Sequence, residues 1–397
     1  MDRRHFLRGL AGVGCSAAAH PLMTTVTLAA GALGDHRLIV MILRGAMDGL
    51  DAVQPQGDKA YAGLRPTLMQ PEAADLDGFF RLHTGLSGLM PLWDTGQLAF
   101  VQAVATPYRD KRSHFAGQDM LEAGTGMDVA ADQIRDGWLN RMLQVVPGLS
   151  ADTAYAIGRD PLAVLSGVAP VRNWAPEAVL NLSPQARLLF EQIYHDDPLF
   201  QAAALEAMEL AEAGGIVDGM KAAPVNGVRL DDVEKLVDYA AGRLRGDARI
   251  AAFSLSGWDT HRAQAGGIGK ALARLQHAIL RLQIGLGPEV WGRTTLLAMT
   301  EFGRTARENG TAGTDHGTGG TMVVAGGAVR GGQMFGHWPG LGEGHLYQGR
   351  DLMPTSDVRA WAAMAMQGMY GLDRAVLEGA VFPGLRMEGL PNRGLIL

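Results

Sequence analysis

Apolar runs too short for membrane spans and too continuous for half-exposed strands recur along this chain. His36–Leu43 (HRLIVMIL) ends at Arg44-Gly45, and Leu98–Val104 (LAFVQAV), Arg249–Leu255 (RIAAFSL), Thr294–Met299 (TTLLAM) and Thr321–Ala325 (TMVVA) repeat the pattern. Ala154–Ile157 and Ala163–Leu165 are weaker members of the set. A strand that is apolar on both faces must be covered on both faces, as in a parallel sheet between helix layers. Helical patterns fill the gaps: Ser113 to Leu121, Leu199–Ala213, Leu230–Leu244, Ile268–Leu286, and Ser356–Tyr370 with Ser356 as its N-cap. The alternation predicts an α/β fold, a mostly parallel central sheet with helices on both faces.

A chain of 397 residues can bury a large core, and no internal repeat or low-complexity linker divides it. One α/β domain over 35–397 is therefore expected, with a helical subregion over 128–248. Glycine supplies 54 residues, about twice the usual ~7%. That fits many tight strand-to-helix turns and close backbone approaches. The formal charge is −6 and no basic stripe occurs, which argues against a nucleic-acid partner.

Residues 1–34 read as an address. Asp2-Arg3-Arg4-His5-Phe6-Leu7-Arg8 resembles the twin-arginine export signal, and Gly9 to Gly34 carries no charged residue. The stretch is rich in alanine and glycine and is interrupted by His20 and Pro21, unlike a membrane span. Ala17-Ala18-Ala19 and Ala30-Gly31-Ala32 both offer small residues for cleavage. Removal after Ala32 would take the only cysteine, Cys15, leaving no disulfide or thiol chemistry. The expected destination is periplasmic or secreted, with no membrane span in the mature chain.

Ligands of open α/β sheets bind beyond the carboxyl ends of the strands, so the residues after each run matter most. Asp48 follows the first, Ser113 and His114 follow the second at some distance, and Asp259-Thr260-His261 follows the Arg249 run. Glu301 follows Met299 closely, and Asp315-His316 leads into the Thr321 run. In extended backbone Asp259 and His261 point the same way, and carboxylate plus imidazole is a ligand pair for zinc, manganese or iron. Asp259 could equally cap the following helix, and Asp315 could serve a turn between glycines. Asp48-Gly49 is also an ordinary turn dipeptide. Ser113 opens a helix, where its hydroxyl could attack an anionic substrate or simply cap. Arg109, Lys111 and Arg112 could neutralise a phosphate or sulfate, or form a solvated loop.

Five segments carry a resemblance: Leu43 to Asp51 (LRGAMDGLD), Arg112-Ser113-His114-Phe115, Gly257-Trp258-Asp259-Thr260-His261, Glu301-Phe302-Gly303-Arg304 and Gly313 to Thr318 (GTDHGT). Together they resemble a family of exported bacterial proteins of unassigned function, placed by distant similarity in the alkaline phosphatase and sulfatase superfamily. The resemblance runs to Val381-Phe382-Pro383-Gly384 and implies an alkaline phosphatase-like fold with a two-metal site and a hydroxyl nucleophile. Carried over by strand order, Asp48 matches the first-strand Asp, Ser113 the nucleophile, Asp259 and His261 one metal's pair, and His316 that metal's later histidine.

One departure alters the implication. Where the superfamily has Asp-His after a strand, this chain has Glu301-Phe302; Glu301 can replace an Asp ligand, but Phe302 cannot replace an imidazole. The Asp259-x-His261 spacing is also shorter than the usual one, and aligning Asp315-His316-Gly317 with that motif is the alternative. The resemblance thus implies an exported metal-dependent hydrolase or transferase for a small anionic phosphate or sulfate ester. Ser113 would attack, Arg112 would stabilise charge, and Asp48, Asp259, His261, Glu301 and His316 would hold a divalent metal, zinc or manganese, at a site reduced toward single-metal chemistry. The other reading is a noncatalytic exported binding or assembly protein with a protein partner.

Overall fold

The first strand, β1 (Arg37–Arg44), shows how the sheet is buried. Leu38, Val40 and Ile42 enter one apolar core while Ile39, Met41 and Leu43 enter another, so both faces are covered. The computed structural model describes residues 33–109, 111–127, 136–146, 148–176, 230–388 and 394–397. The remaining strands of the main sheet are β2 (Leu98–Ala105), β3 (Ala154–Ile157), β4 (Arg172–Trp174), β5 (Ile250–Ser256), β6 (Thr294–Met299), β7 (Gly320–Ala325), β8 (Gln333–Phe335) and β9 (Ser356–Asp357). Their order is β8-β2-β7-β6-β1-β5-β3-β4, with β9 paired to β2. Every neighbouring pair is parallel except the two made by β7, which runs antiparallel to β2 and β6.

Helices cover the sheet on both sides. Helix α1 (His114–Ala123), α2 (Trp138–Val145) and α5 (Val358–Tyr370) lie on the face that holds Leu121, Trp138 and Trp361. Helices α3 (Asp231–Leu244) and α4 (Gln264–Trp291) cover the other through Val237, Leu275 and Ile279. The α/β fold with a mostly parallel, doubly covered sheet is therefore present. Helix α4 is broken at Gly287, whose φ of 72° only glycine adopts cheaply and which precedes Pro288. No helix among the described residues is long and apolar enough to cross a membrane.

Several expectations need correction. Ala163–Leu165 is a 3₁₀ turn, not a strand. Ser356 does not cap α5; it pairs with β2, so the cap passes to Asp357, which accepts from the Arg359 amide. Within 128–248, read as a helical subregion, the described residues include β3 and β4 as well as α2 and α3. Residues 1–32, with the export signal and Cys15, and the helix expected over Leu199–Ala213 lie outside the described residues. Leu33, near the start of the described chain, already packs into the core.

Candidate metal centre

The carboxyl edge of the sheet gathers five segments, one of them the connection from β2 that ends at His114. Strand β5 leads to Gly257 through His261, and buried Trp258 pins this turn by donating from Nε1 to the Leu255 carbonyl at 2.8 Å. Strand β1 leads to Arg44 through Asp48, and β6 to Thr300 through Arg304. Because β7 is antiparallel, the residues before it, Gly313 to His316, lie at this same edge. Close approach requires glycine at two of these crossings. Gly45 has φ 116°, and a Cβ there would stand 2.8 Å from the Asp259 amide nitrogen. A Cβ on Gly313 would stand 2.4 Å from the His261 carbonyl.

Four side chains meet there. Asp259 Oδ1 lies 3.1 Å from His261 Nε2 and 3.4 Å from His316 Nε2, and Oδ2 lies 3.5 Å from His114 Nε2. The Nε2 atoms of His261 and His316 are 3.0 Å apart. Ligand atoms of His114, Asp259 and His316 all fall within 4.8 Å of one another, a group that could hold a metal ion. Asp259 is 47% exposed on its side chain, so the cluster opens to solvent. Phe302 forms its floor, stacked on His114 with ring centres 5.3 Å apart and tilted against His316 at 5.2 Å.

Each member is held from behind. His316 Nδ1 bonds the Arg112 carbonyl at 2.8 Å, and Arg112 takes a φ of 48° to present it. His261 Nδ1 bonds Asp315 Oδ1 at 3.0 Å, and Asn309 donates to the same oxygen at 3.1 Å. Wholly buried Arg304 donates to Asp259 Oδ1 at 2.5 Å and to the carbonyls of Gly45, Ala46, Trp258 and Thr314. Burial works against charge on Asp259, but Arg304 and the neighbouring imidazoles outweigh it and hold the carboxyl below its usual range. The hydrogen bond to Glu301 raises His114, whereas burial lowers His316.

Of the residues singled out from sequence, Asp259, His261 and His316 come together. Asp48 does not join them. Its buried carboxylate accepts from Arg65 at 2.7 and 3.2 Å, from Gln264 at 2.7 Å, from Thr314 at 3.2 Å and from two amides at the start of the turn 49–52. Burial opposes this charge, but Arg65 keeps Asp48 ionised, below its usual pKa. Glu301 stands one step behind the cluster. It accepts from His114, Gln118 and Thr300 and from the amides of Gly45 and Ala46, and is fully buried. Ser113 sits at the N-cap of α1, yet its hydroxyl makes no capping bond. Arg112 meets the cluster through its carbonyl, while its guanidinium reaches Asp351 and Gln348 at 3.4 Å.

Asp259 caps no helix, because α4 begins five residues later behind Ala263. Asp315 is spent on His261 rather than on a turn's amides. Sequence reading gave no role to His114 or Arg304, and it weighed Asp315 as a turn residue or as part of an alternative Asp-His motif, not as the partner of His261. His114 was hidden beside a serine whose chemistry is more familiar. A histidine opening a helix next to a nucleophile candidate was the available signal.

Solved structures similar to this chain include a protein in the alkaline phosphatase superfamily from Vibrio parahaemolyticus (10% identity, TM-score 0.35, 74% of this chain and 62% of that one). The zinc complex of the C-terminal periplasmic domain of EcEptC from Escherichia coli is another (8%, 0.37, 73% of each). A third is alkaline phosphatase from the Antarctic bacterium TAB5 (10%, 0.36, 76% and 94%). No curated protein matches the chain. Residues 104–379 carry the match that assigns it: the chain belongs to the family described as "Protein of unknown function (DUF1501)".

Proposed function

We propose that this protein is an exported, metal-dependent hydrolase or transferase acting on a small phosphate or sulfate ester. The observation that carries the reading is the position of Ser113. Its hydroxyl is uncapped, and its chain neighbours are Arg112, whose carbonyl holds His316, and His114, which faces Asp259. A divalent ion such as zinc or manganese, held by Asp259 and the imidazoles, would supply fixed positive charge to the oxygens of the reacting group.

The remaining work falls to the chain itself. Amides in the first turn of α1 have no helical partner and favour an anion beside Ser113. The Arg112 guanidinium, weakly held at 3.4 Å by Asp351, can turn to an ester's equatorial oxygens. Ser113 Oγ loses its proton to solvent and attacks phosphorus or sulfur, the ester oxygen departs with its bonding pair and takes a proton from water, and water or an acceptor hydroxyl then displaces Ser113 from the phospho- or sulfo-serine. Arg304 and Phe302 keep the cluster's geometry while this occurs.

The test is turnover of aryl phosphate and aryl sulfate by the metal-loaded full chain. Ser113→Ala should lower the rate by more than about 1,000-fold, as loss of a nucleophile does elsewhere. Unchanged hydrolysis in that variant would remove Ser113 from the reaction. The internal pairing of Asp48 with Arg65 favours a second reading, in which the fold serves as a noncatalytic exported binding or assembly partner. Absence of turnover with either ester by metal-loaded wild-type chain would favour it.

A further inference from the structure

His261 and His316 face each other through Nε2 atoms 3.0 Å apart. Proton positions are assigned from the acceptor at each ring's other nitrogen. Nδ1 of His316 points at the Arg112 carbonyl and Nδ1 of His261 at Asp315, so each Nδ1 carries the hydrogen. Nδ1 of His114 lies 2.7 Å from Glu301 Oε1, and its buried Nε2 has no hydrogen-bond partner. Three Nε2 atoms without a hydrogen of their own therefore stand 3.1, 3.4 and 3.5 Å from oxygens of the Asp259 carboxylate. Lone pairs at this range repel unless a cation lies among them. An imidazole whose far nitrogen is anchored to a carboxylate or carbonyl is also the usual state of a metal-bound histidine.

We infer that His114, Asp259, His261 and His316 form a single-ion centre, three imidazole nitrogens and one carboxylate, with no second ion beside it. Asp48 and Glu301, the residues that would hold another, are already committed: Arg65 matches the charge of Asp48, and five donors surround Glu301. Nitrogen-rich donors favour zinc or iron over calcium or magnesium, which prefer oxygen. The inference rests on reading this cluster as a metal centre and not on ester chemistry.

Titration of the chelator-stripped full chain with Co²⁺, followed by its d–d absorption, should saturate at one ion per chain. X-ray absorption at the zinc edge of the wild-type protein should show scattering from three imidazoles, and this readout needs no variant. His261→Ala should weaken Co²⁺ binding at least about 100-fold, and Asp315→Asn, which only loosens His261, by about 10–100-fold. Circular dichroism of both variants separates lost ligation from lost fold. Saturation at two ions, a zinc spectrum with fewer than three imidazoles, or unaltered affinity in both folded variants overturns the inference. So does an absence of saturable binding, since a proton shared by His261 and His316 then holds the cluster. A single-ion centre in a chain that cleaves no ester sinks the hydrolase reading alone, and a two-ion chain that cleaves esters sinks the single-ion centre alone.

Discussion

The guanidinium of Arg304, itself inaccessible to solvent, donates at 2.5 Å to Asp259, a half-exposed carboxylate. The same group binds carbonyls from the β1, β5 and β7 connections, so it ties the loops of the His/Asp cluster to one point. Removing it leaves several buried acceptors without a donor, each costing about 1–3 kcal/mol. Arg304→Met should therefore lower the unfolding free energy by at least roughly 3 kcal/mol, measured by urea denaturation. A loss below 1 kcal/mol would show that the loops hold without it.

Glu301 acts on the centre through His114. Glu301→Gln keeps the size and one acceptor oxygen but removes the charge that fixes the His114 proton on Nδ1. Metal affinity should fall by about 10–100-fold with little change in melting temperature, as for partners behind other metal ligands. Calorimetric titration with zinc reads this directly.

Glycine at 313 is a steric requirement. A methyl group there would meet the His261 backbone at 2.4 Å, whereas the open Gly310 has no neighbour within 4 Å. Gly313→Ala should cost about 1–3 kcal/mol by overpacking, and Gly310→Ala should cost far less. Equal effects would remove close packing as the reason for the glycine.

Asp51 sets a pH dependence. It is buried, receives Gln264 and Gln54 hydrogen bonds, and shares Gln264 with the ionised Asp48. Burial, with the Asp48 charge, pushes it up to about 7. A raised acid holds its proton in the folded state after the unfolded chain has lost it. Its stabilising contribution is thus complete below about pH 4 and lost as pH rises toward 7. Asp51→Asn should remove that decline, so its urea midpoint relative to wild type should rise from pH 4 to pH 8.

Export is tested on the full chain. Arg3→Lys combined with Arg4→Lys should leave the protein in the cytoplasm of a bacterial host, as judged by cell fractionation. Unimpaired export of the double variant would remove the twin-arginine reading.

Much of the sheet was legible from sequence because apolar continuity reports burial on both faces. β3 and β6 match their runs residue for residue, and β1, β2, β5 and β7 differ by one residue at their ends. Ala163–Leu165 misled because three apolar residues satisfy a strand and a 3₁₀ turn equally. Asp259 and His261 were legible as a pair because alternate residues of extended backbone share a side.

Sequence alone determined six of the sheet's strands, that both faces are covered, and that acidic and imidazole side chains follow the strands, since these depend on local periodicity; the short β4, β8 and β9 carry too few residues to show one. Which of those side chains share a centre was decided by tertiary structure. Asp48 is matched by Arg65, seventeen residues on, and Glu301 turns inward to His114, 187 residues away in sequence. His316 reaches the carboxyl edge only because β7 runs antiparallel. Charge pairing in a buried site depends on which partner arrives within 3 Å, and chain spacing does not encode that distance.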